Sequence, residues 1–313
     1  MAEVPPSADP IEIPGPWQHR HVAANGARFH VAEAGPPHGP LVLLLHGFPE
    51  FWWTWRDQLP ALAAAGYRAV AMDLRGYGGS DKTPNGYDPI TLAQDVAGVV
   101  KAVGGRRAVL VGHGWGGYVA WATAAQHPRE VTAVAAVSAP HPLAMLRSWR
   151  PGSGPTLAAL RHVLAMQVPM LPERRLADPD SGFLRDHLRG WSATGFPDDA
   201  TVATYQAAIS QWPASHCALE YHRWLFRSRL RGDGRRFARV MQPPLAQPVC
   251  CVSGALDHAL PPTAVARSRR HVAGGFTERT VPGVGHFPHE EDPAAFTALL
   301  LEWLDEVSPA SGG

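Results

Sequence analysis

Three short clusters carry residue types from which hydrolytic chemistry is built. The first is His46-Gly47-Phe48-Pro49-Glu50, directly after the unbroken apolar run Leu41–Leu45. A glycine at a strand end lets the backbone turn sharply and present an N–H to a ligand. The second is Gly112-His113-Gly114-Trp115-Gly116-Gly117, after the apolar run Ala108–Val111. The third is a pair: Asp257 follows the run Pro248–Val252, and His286 follows Glu278–Val281. A carboxylate on one imidazole nitrogen fixes the tautomer and leaves the other nitrogen as a base. All three clusters stand just after expected core strands, where open α/β sheets build their sites. The order in the chain is elbow, acid, histidine.

Further segments narrow the reading. Trp52, Trp53, Trp55 and Arg56 follow the first cluster. Asp73-Leu74-Arg75-Gly76-Tyr77-Gly78-Gly79-Ser80-Asp81 follows Arg68–Met72, and His286 lies in Gly285-His286-Phe287. On these motifs, from about Trp17 to Trp303, the chain resembles the epoxide hydrolase branch of the α/β-hydrolase fold, with haloalkane dehalogenases as near relatives. The resemblance implies a mostly parallel central sheet flanked by helices, with an inserted helical lid. It implies oxyanion donors at the backbone N–H groups of Phe48 and Trp115. It also implies an acid and base at Asp257 and His286, and no cofactor.

The same resemblance exposes departures. In that family the elbow residue is an aspartate that opens the epoxide to a covalent ester, which a His-activated water then hydrolyses. The matching residue here is Gly114, which has no side chain and cannot be a nucleophile. The family also uses two lid tyrosines as donors to the ring oxygen. The first falls at or near His162 and the second at His222, beside Tyr221, so imidazoles stand where phenols are expected. A neutral His donates one hydrogen bond, and a cationic one also gives a proton. Tyr205 and Tyr221 remain as alternative donors. Ser138, after a core strand, is a further candidate nucleophile.

The elements that must hold these residues are legible in the apolar pattern. Short strands are expected at Trp17–Val22 and Arg28–Glu33, with Asn25-Gly26 as a hairpin turn between them. Buried strands follow at Leu41–Leu45, Arg68–Met72, Ala108–Val111, Thr132–Val137, Pro248–Val252 and Glu278–Val281. Helices are expected at Trp55–Ala65, Thr91–Val103, Gly116–His127 and Pro293–Val307. From about Pro140 to Pro244 the strand rhythm stops and apolar residues recur at helical spacing, as in Leu157–Met166 and Ala200–Ile209. The expected organisation is a flexible N-terminal arm (1–16), a core in two parts (17–139 and 245–308), a helical lid (140–244) and a short tail (309–313).

Composition excludes several classes. With 313 residues, 45% hydrophobic and 18% charged, the chain has enough apolar material for one large core. A net charge of +1 argues against a nucleic-acid partner. No apolar run is long enough to span a membrane, and the first residues lack the pattern of a signal peptide. Cys250 and Cys251 lie in an apolar run and read as buried thiols, so a reduced, cytoplasmic setting is expected. Sixteen histidines are present without HExxH or paired spacing, so no metal site is expected. Gly112, Gly114 and Gly117 match a dinucleotide-binding outline, but the acidic residue that motif needs at the end of the next strand is absent. Asp73 and His46 read as loop-holding residues. His289, Glu290, Glu291 and Asp292 read as the acidic start of the last helix. The Arg227–Arg239 run reads as a solvated segment. Oligomeric state is not encoded in these patterns.

Three functional readings follow. The Asp257–His286 dyad activates water directly against a small apolar epoxide or ester, or it serves a lyase or isomerase as a base. Alternatively, the chain is a non-catalytic relative that binds a small molecule or another protein. A further reading takes Gly114 as an engineered or erroneous replacement of aspartate.

Overall fold

The computed structural model describes residues 9–148, 163–193, 195–260 and 262–308. Strands β1 (Gln18–Ala24), β2 (Ala27–Ala34), β3 (Leu41–Leu45), β4 (Arg68–Met72), β5 (Ala108–His113), β6 (Val131–Val137), β7 (Val249–Gly254) and β8 (Phe276–Val281) form one sheet. Their order is β1-β2-β4-β3-β5-β6-β7-β8. β1 pairs antiparallel with β2, and β2 with β4; every other pairing is parallel. The Val-, Leu- and Ala-rich strands β3 and β5 are buried along their whole length, and β4 and β6 nearly so, as parallel strands covered on both faces must be. The fold is that of an α/β-hydrolase, as the sequence motifs implied.

Helices α1 (Gln58–Ala64), α2 (Pro89–Ala102), α3 (Trp115–Gln126) and α12 (Pro293–Val307) cover the sheet, α2 packing on α3 and α1 on α12. Asp88 starts α2 by accepting from the N–H groups of Ile90 and Thr91, with Pro89 at the first helical position. Between β6 and β7 the described elements are helical: α4 (Pro142–Ser148), α5 (Leu171–Ala177), α6 (Phe183–Trp191), α7 (Asp199–Ile209), α8 (Ala214–Arg227) and α9 (Gly232–Val240). Two short helices, α10 (Pro262–Ser268) and α11 (Pro288–Glu291), complete the set. No helix among the described residues is long and apolar enough to cross a membrane.

Register explains why distant motifs meet. Leu45 pairs with Gly112, and His113 with Val137, so the carboxyl ends of β3, β5 and β6 lie side by side. The ends of β7 and β8 continue the same edge. The Asn25-Gly26 turn has positive φ at both residues (44° and 72°), the backbone that joins two twisted strands with a two-residue loop.

The structure departs from the sequence expectations in three places. β8 is a half-exposed strand rather than a buried one, because it closes the sheet on one side and leaves Glu278 and Thr280 in solvent. The helix expected from Trp55 begins as a 3-10 turn, Trp52–Trp55, before α1 starts at Gln58. Residues 9–16 are docked rather than loose: Ile11 is buried, and its carbonyl accepts from the Trp52 indole at 2.8 Å. The Ile13 carbonyl accepts from the Trp17 indole, also at 2.8 Å. A Pro-rich stretch reads as an arm because its partners lie elsewhere in the chain.

Candidate active site

β5 ends at His113 and α3 begins at Trp115, so the whole turn rests on Gly114. Its backbone sits at φ 50° and ψ −113°, a conformation that side-chain-bearing residues rarely adopt and glycine meets without steric cost. The turn is held close against β3: a Cβ on Gly116 would stand 2.1 Å from the Leu45 carbonyl oxygen. At Gly114 itself the space is open. A Cβ there would meet only the Gly47 Cα at 3.7 Å and the His286 Nε2 at 4.0 Å. The direction a side chain would take from the elbow is therefore the direction of the imidazole.

His286 is oriented by Asp257. The Nδ1–H donates to Asp257 Oδ2 at 2.9 Å, which leaves Nε2 as the nitrogen facing Gly114. Asp257 Oδ1 accepts from the Ala259 and Leu260 N–H groups at 2.8 and 3.3 Å. Burial alone would raise the Asp257 carboxyl, but His286 and these N–H donors hold it below the usual carboxylate range. The loop carrying His286 is pinned by Glu291, whose carboxylate accepts from the N–H groups of Gly285, Phe287 and Ala193 at 2.9, 3.0 and 2.8 Å. The His286 N–H donates to the Trp191 carbonyl, and the Trp191 ring stands edge-on to the imidazole at 4.9 Å.

A second pair lies behind the elbow. Both nitrogens of His113 face acceptors: Nδ1 meets Glu50 Oε2, and Nε2 meets the His286 carbonyl oxygen, each at 2.9 Å. Both nitrogens must therefore donate, which makes the ring an imidazolium. Glu50 also accepts from the Gly47 N–H at 2.7 Å. Burial acts against both charges, yet each holds the other: His113 is raised by Glu50, and Glu50 is lowered to about 2 by His113. This ion pair ties the ends of β3 and β5 to the His286 loop.

A family description of the α/β hydrolase fold matches residues 40–293 of the chain. The epoxide hydrolase A of Mycobacterium tuberculosis is 34% identical over 91% of this chain and 96% of its own length. The chain belongs to the epoxide hydrolase branch of the α/β-hydrolases. Epoxide hydrolase 3 of Xenopus tropicalis is 31% identical, over 92% of this chain and 78% of that protein. The solved structure of an epoxide hydrolase from an endophytic Streptomyces is 30% identical and superposes with a TM-score of 0.79, covering 93% of this chain and 96% of that one.

The expected lid donors among the described residues are hydrogen-bonded to partners within the protein. His222 lies beside Trp115, but the Trp115 indole N–H points at His222 Nε2 at 3.1 Å. An indole can only donate, so Nε2 is an acceptor and its lone pair is engaged. The Tyr221 hydroxyl donates to the Arg75 carbonyl at 2.7 Å, and the Tyr205 hydroxyl to Glu290 Oε1 at 2.6 Å. His162 lies outside the described residues. In this structure, partners from other elements meet these polar atoms of Tyr205, Tyr221 and His222. Ser138 has a buried Oγ with no partner and a φ of 48°, and among the described residues no hydrogen bond joins it to His286.

Aromatic rings enclose the opening. Trp115 packs on His222, His222 on Phe48, Phe48 on His187, His187 on Trp191 and Trp191 on His286, with centroids 4.7–5.2 Å apart. Trp52 and Trp55 are core residues, fully buried. Asp73 accepts from the Trp52 and Gly79 N–H groups and from His30, and so holds its loop. His46 donates to the Gly47 carbonyl and accepts from the Leu74 N–H, a turn-holding role.

Sequence reasoning missed several contacts. Glu290 is not a solvated acid at a helix start. It is buried against Arg56 at 2.6 Å, and burial raises its carboxyl to about 7 despite that charge. Glu50, His113 and His289 also converge, with donor atoms within 4.8 Å of one another, although no metal site was expected. Glu50 Oε2 is already bound to His113, and His289 Nε2 to Thr54 at 2.7 Å, so the cluster reads as one ion pair with an imidazole beside it that burial keeps neutral.

Two outcomes follow. Replacing Glu291 by Ala orphans three backbone donors and should cost about 1–3 kcal/mol in urea unfolding; a loss under about 0.5 kcal/mol would contradict the pinning role. For the Glu50–His113 pair, Glu50 stabilises above its ordinary value of 4.5 and loses this as pH falls towards about 2. His113 stabilises below its ordinary 6.5 and loses this as pH rises through its higher folded value. The stability gap between wild type and Glu50→Gln should therefore be larger near about pH 5.5 than at about pH 3 or 9. A gap independent of pH would count against the ion pair.

Proposed function

We propose that this chain is an epoxide hydrolase-like α/β-hydrolase in which the Asp257–His286 dyad activates water directly. One observation carries the reading. The elbow residue has no side chain, and its open side faces the Nε2 of an imidazole whose other nitrogen is bound to a carboxylate. A water in that hollow gives its proton to Nε2 as its oxygen bonds to an epoxide carbon, whose ring C–O bond breaks, or to an ester carbonyl, whose alkoxide is then expelled; the imidazolium returns the proton to the departing oxygen. Asp257 stabilises the imidazolium that forms. The Trp115 N–H, first of α3, and the Phe48 N–H are the donors for developing negative charge on an ester oxygen. The aromatic enclosure suits a small apolar substrate.

Without a covalent intermediate, the rate rests on the base. General-base assistance supplies about 10²–10⁴-fold. The occupied polar atoms of His222, Tyr205 and Tyr221 favour a second reading, in which the chain binds an apolar ligand without turning it over. A panel of aromatic and aliphatic epoxides and activated esters separates the two. Under the hydrolytic reading wild type turns over at least one of them, and His286→Ala slows it by about 10²–10⁴-fold. An unchanged rate in His286→Ala would sink the dyad. Silence across the panel, with ligand bound, would support the second reading. Activity appearing only in Gly114→Asp would mean that the nucleophile alone is missing.

A further inference from the structure

A helix start and an imidazole nitrogen beside Gly114 suit an anion that the chain does not itself supply. α3 is twelve residues long and starts at Trp115, whose backbone N–H takes no partner among the described residues. A helix start carries about half a positive charge. His286 is only 6% exposed, and its Nε2 has no hydrogen-bond partner among the described residues. That nitrogen lies 4.0 Å from the place of a Cβ on Gly114. The ring of His113 stands 5.0 Å from the His286 ring, its charge balanced by Glu50 at 2.9 Å.

We propose that the hollow in front of Gly114 is a binding site for a small carboxylate, held by the Trp115 N–H and by His286 Nε2. The proposal rests on the reading above only in that both place a ligand atom in the same hollow. Gly47 stands on one side, its Cα 3.7 Å from the Cβ position, and His286 Nε2 on another. Because Nδ1 already donates to Asp257, Nε2 donates only when the ring takes a second proton. Titratable groups near the ring are Asp257 at Nδ1, His113 with its partner Glu50, His289 behind them and His187 beyond Trp191. The carboxylate is either a free ion or the acidic end of a larger ligand.

The test uses the full chain without substrate. Sodium formate is titrated against chloride at constant ionic strength, with thermal unfolding and ¹³C-formate line width as readouts. Wild type should show a saturable rise in Tm of about 1–3 °C near about 100 mM formate. His286→Ala should lose the response, and so should Gly114→Asp, which fills the hollow with its own carboxylate. If Gly114→Asp does not fold, His286→Ala still decides. Hexanoate binding tighter than formate assigns the site to a ligand's own acid group; formate binding as tightly or more tightly assigns it to the free ion. No saturable response in wild type, or a response retained in His286→Ala or a folded Gly114→Asp, overturns the proposal. As no turnover is read, that failure leaves the hydrolytic reading untouched, and silent turnover leaves this one untouched.

Discussion

The hydrogen bond from His286 Nδ1 to Asp257 Oδ2, 2.9 Å long, is the contact on which the site depends. It decides which imidazole nitrogen is left facing the elbow, and so what the hollow at Gly114 contains chemically. Around it the chain spends polar groups that a simpler loop would not need. Glu291 fixes the backbone on both sides of His286, and the Glu50–His113 pair reaches its carbonyl from behind. The elbow residue is Gly114, and the Asp257–His286 pair with its supports is built around it.

Most of the fold was legible because its signals are local. Apolar runs of strand length located the strands, and Asn25-Gly26 specified the turn between the first two. The elbow, the acid and the histidine were each marked by a strand end, so the sequence placed Gly114, Asp257 and His286 on one edge of the sheet. What escaped was contact between segments far apart in the chain. His113 and Glu50 are 63 residues apart, and Tyr205 and Glu290 are 85 apart. Periodicity carries no trace of such pairs.

The expected lid donors illustrate the same limit from the other side. Tyr205, Tyr221 and His222 have the right chemistry for donation, but the direction of a hydrogen bond is set by the partner. The Arg75 carbonyl, Glu290 and the Trp115 indole decide the matter, and none of them is near its partner in sequence. Residue type alone therefore does not show which partner each of these side chains meets. The docked residues 9–16 show the reverse error, where Pro-rich composition hid an isoleucine that the core needs.

The most direct test of the central claim is a single turnover of an epoxide in ¹⁸O-enriched water, with enzyme in excess over substrate. Direct attack by a water held on His286 predicts that the diol from this first turnover carries ¹⁸O. An attack through a carboxylate of the protein would leave the first diol unlabelled, its oxygen drawn from the side chain. Unlabelled diol, or no diol at all from bound epoxide, would contradict the account.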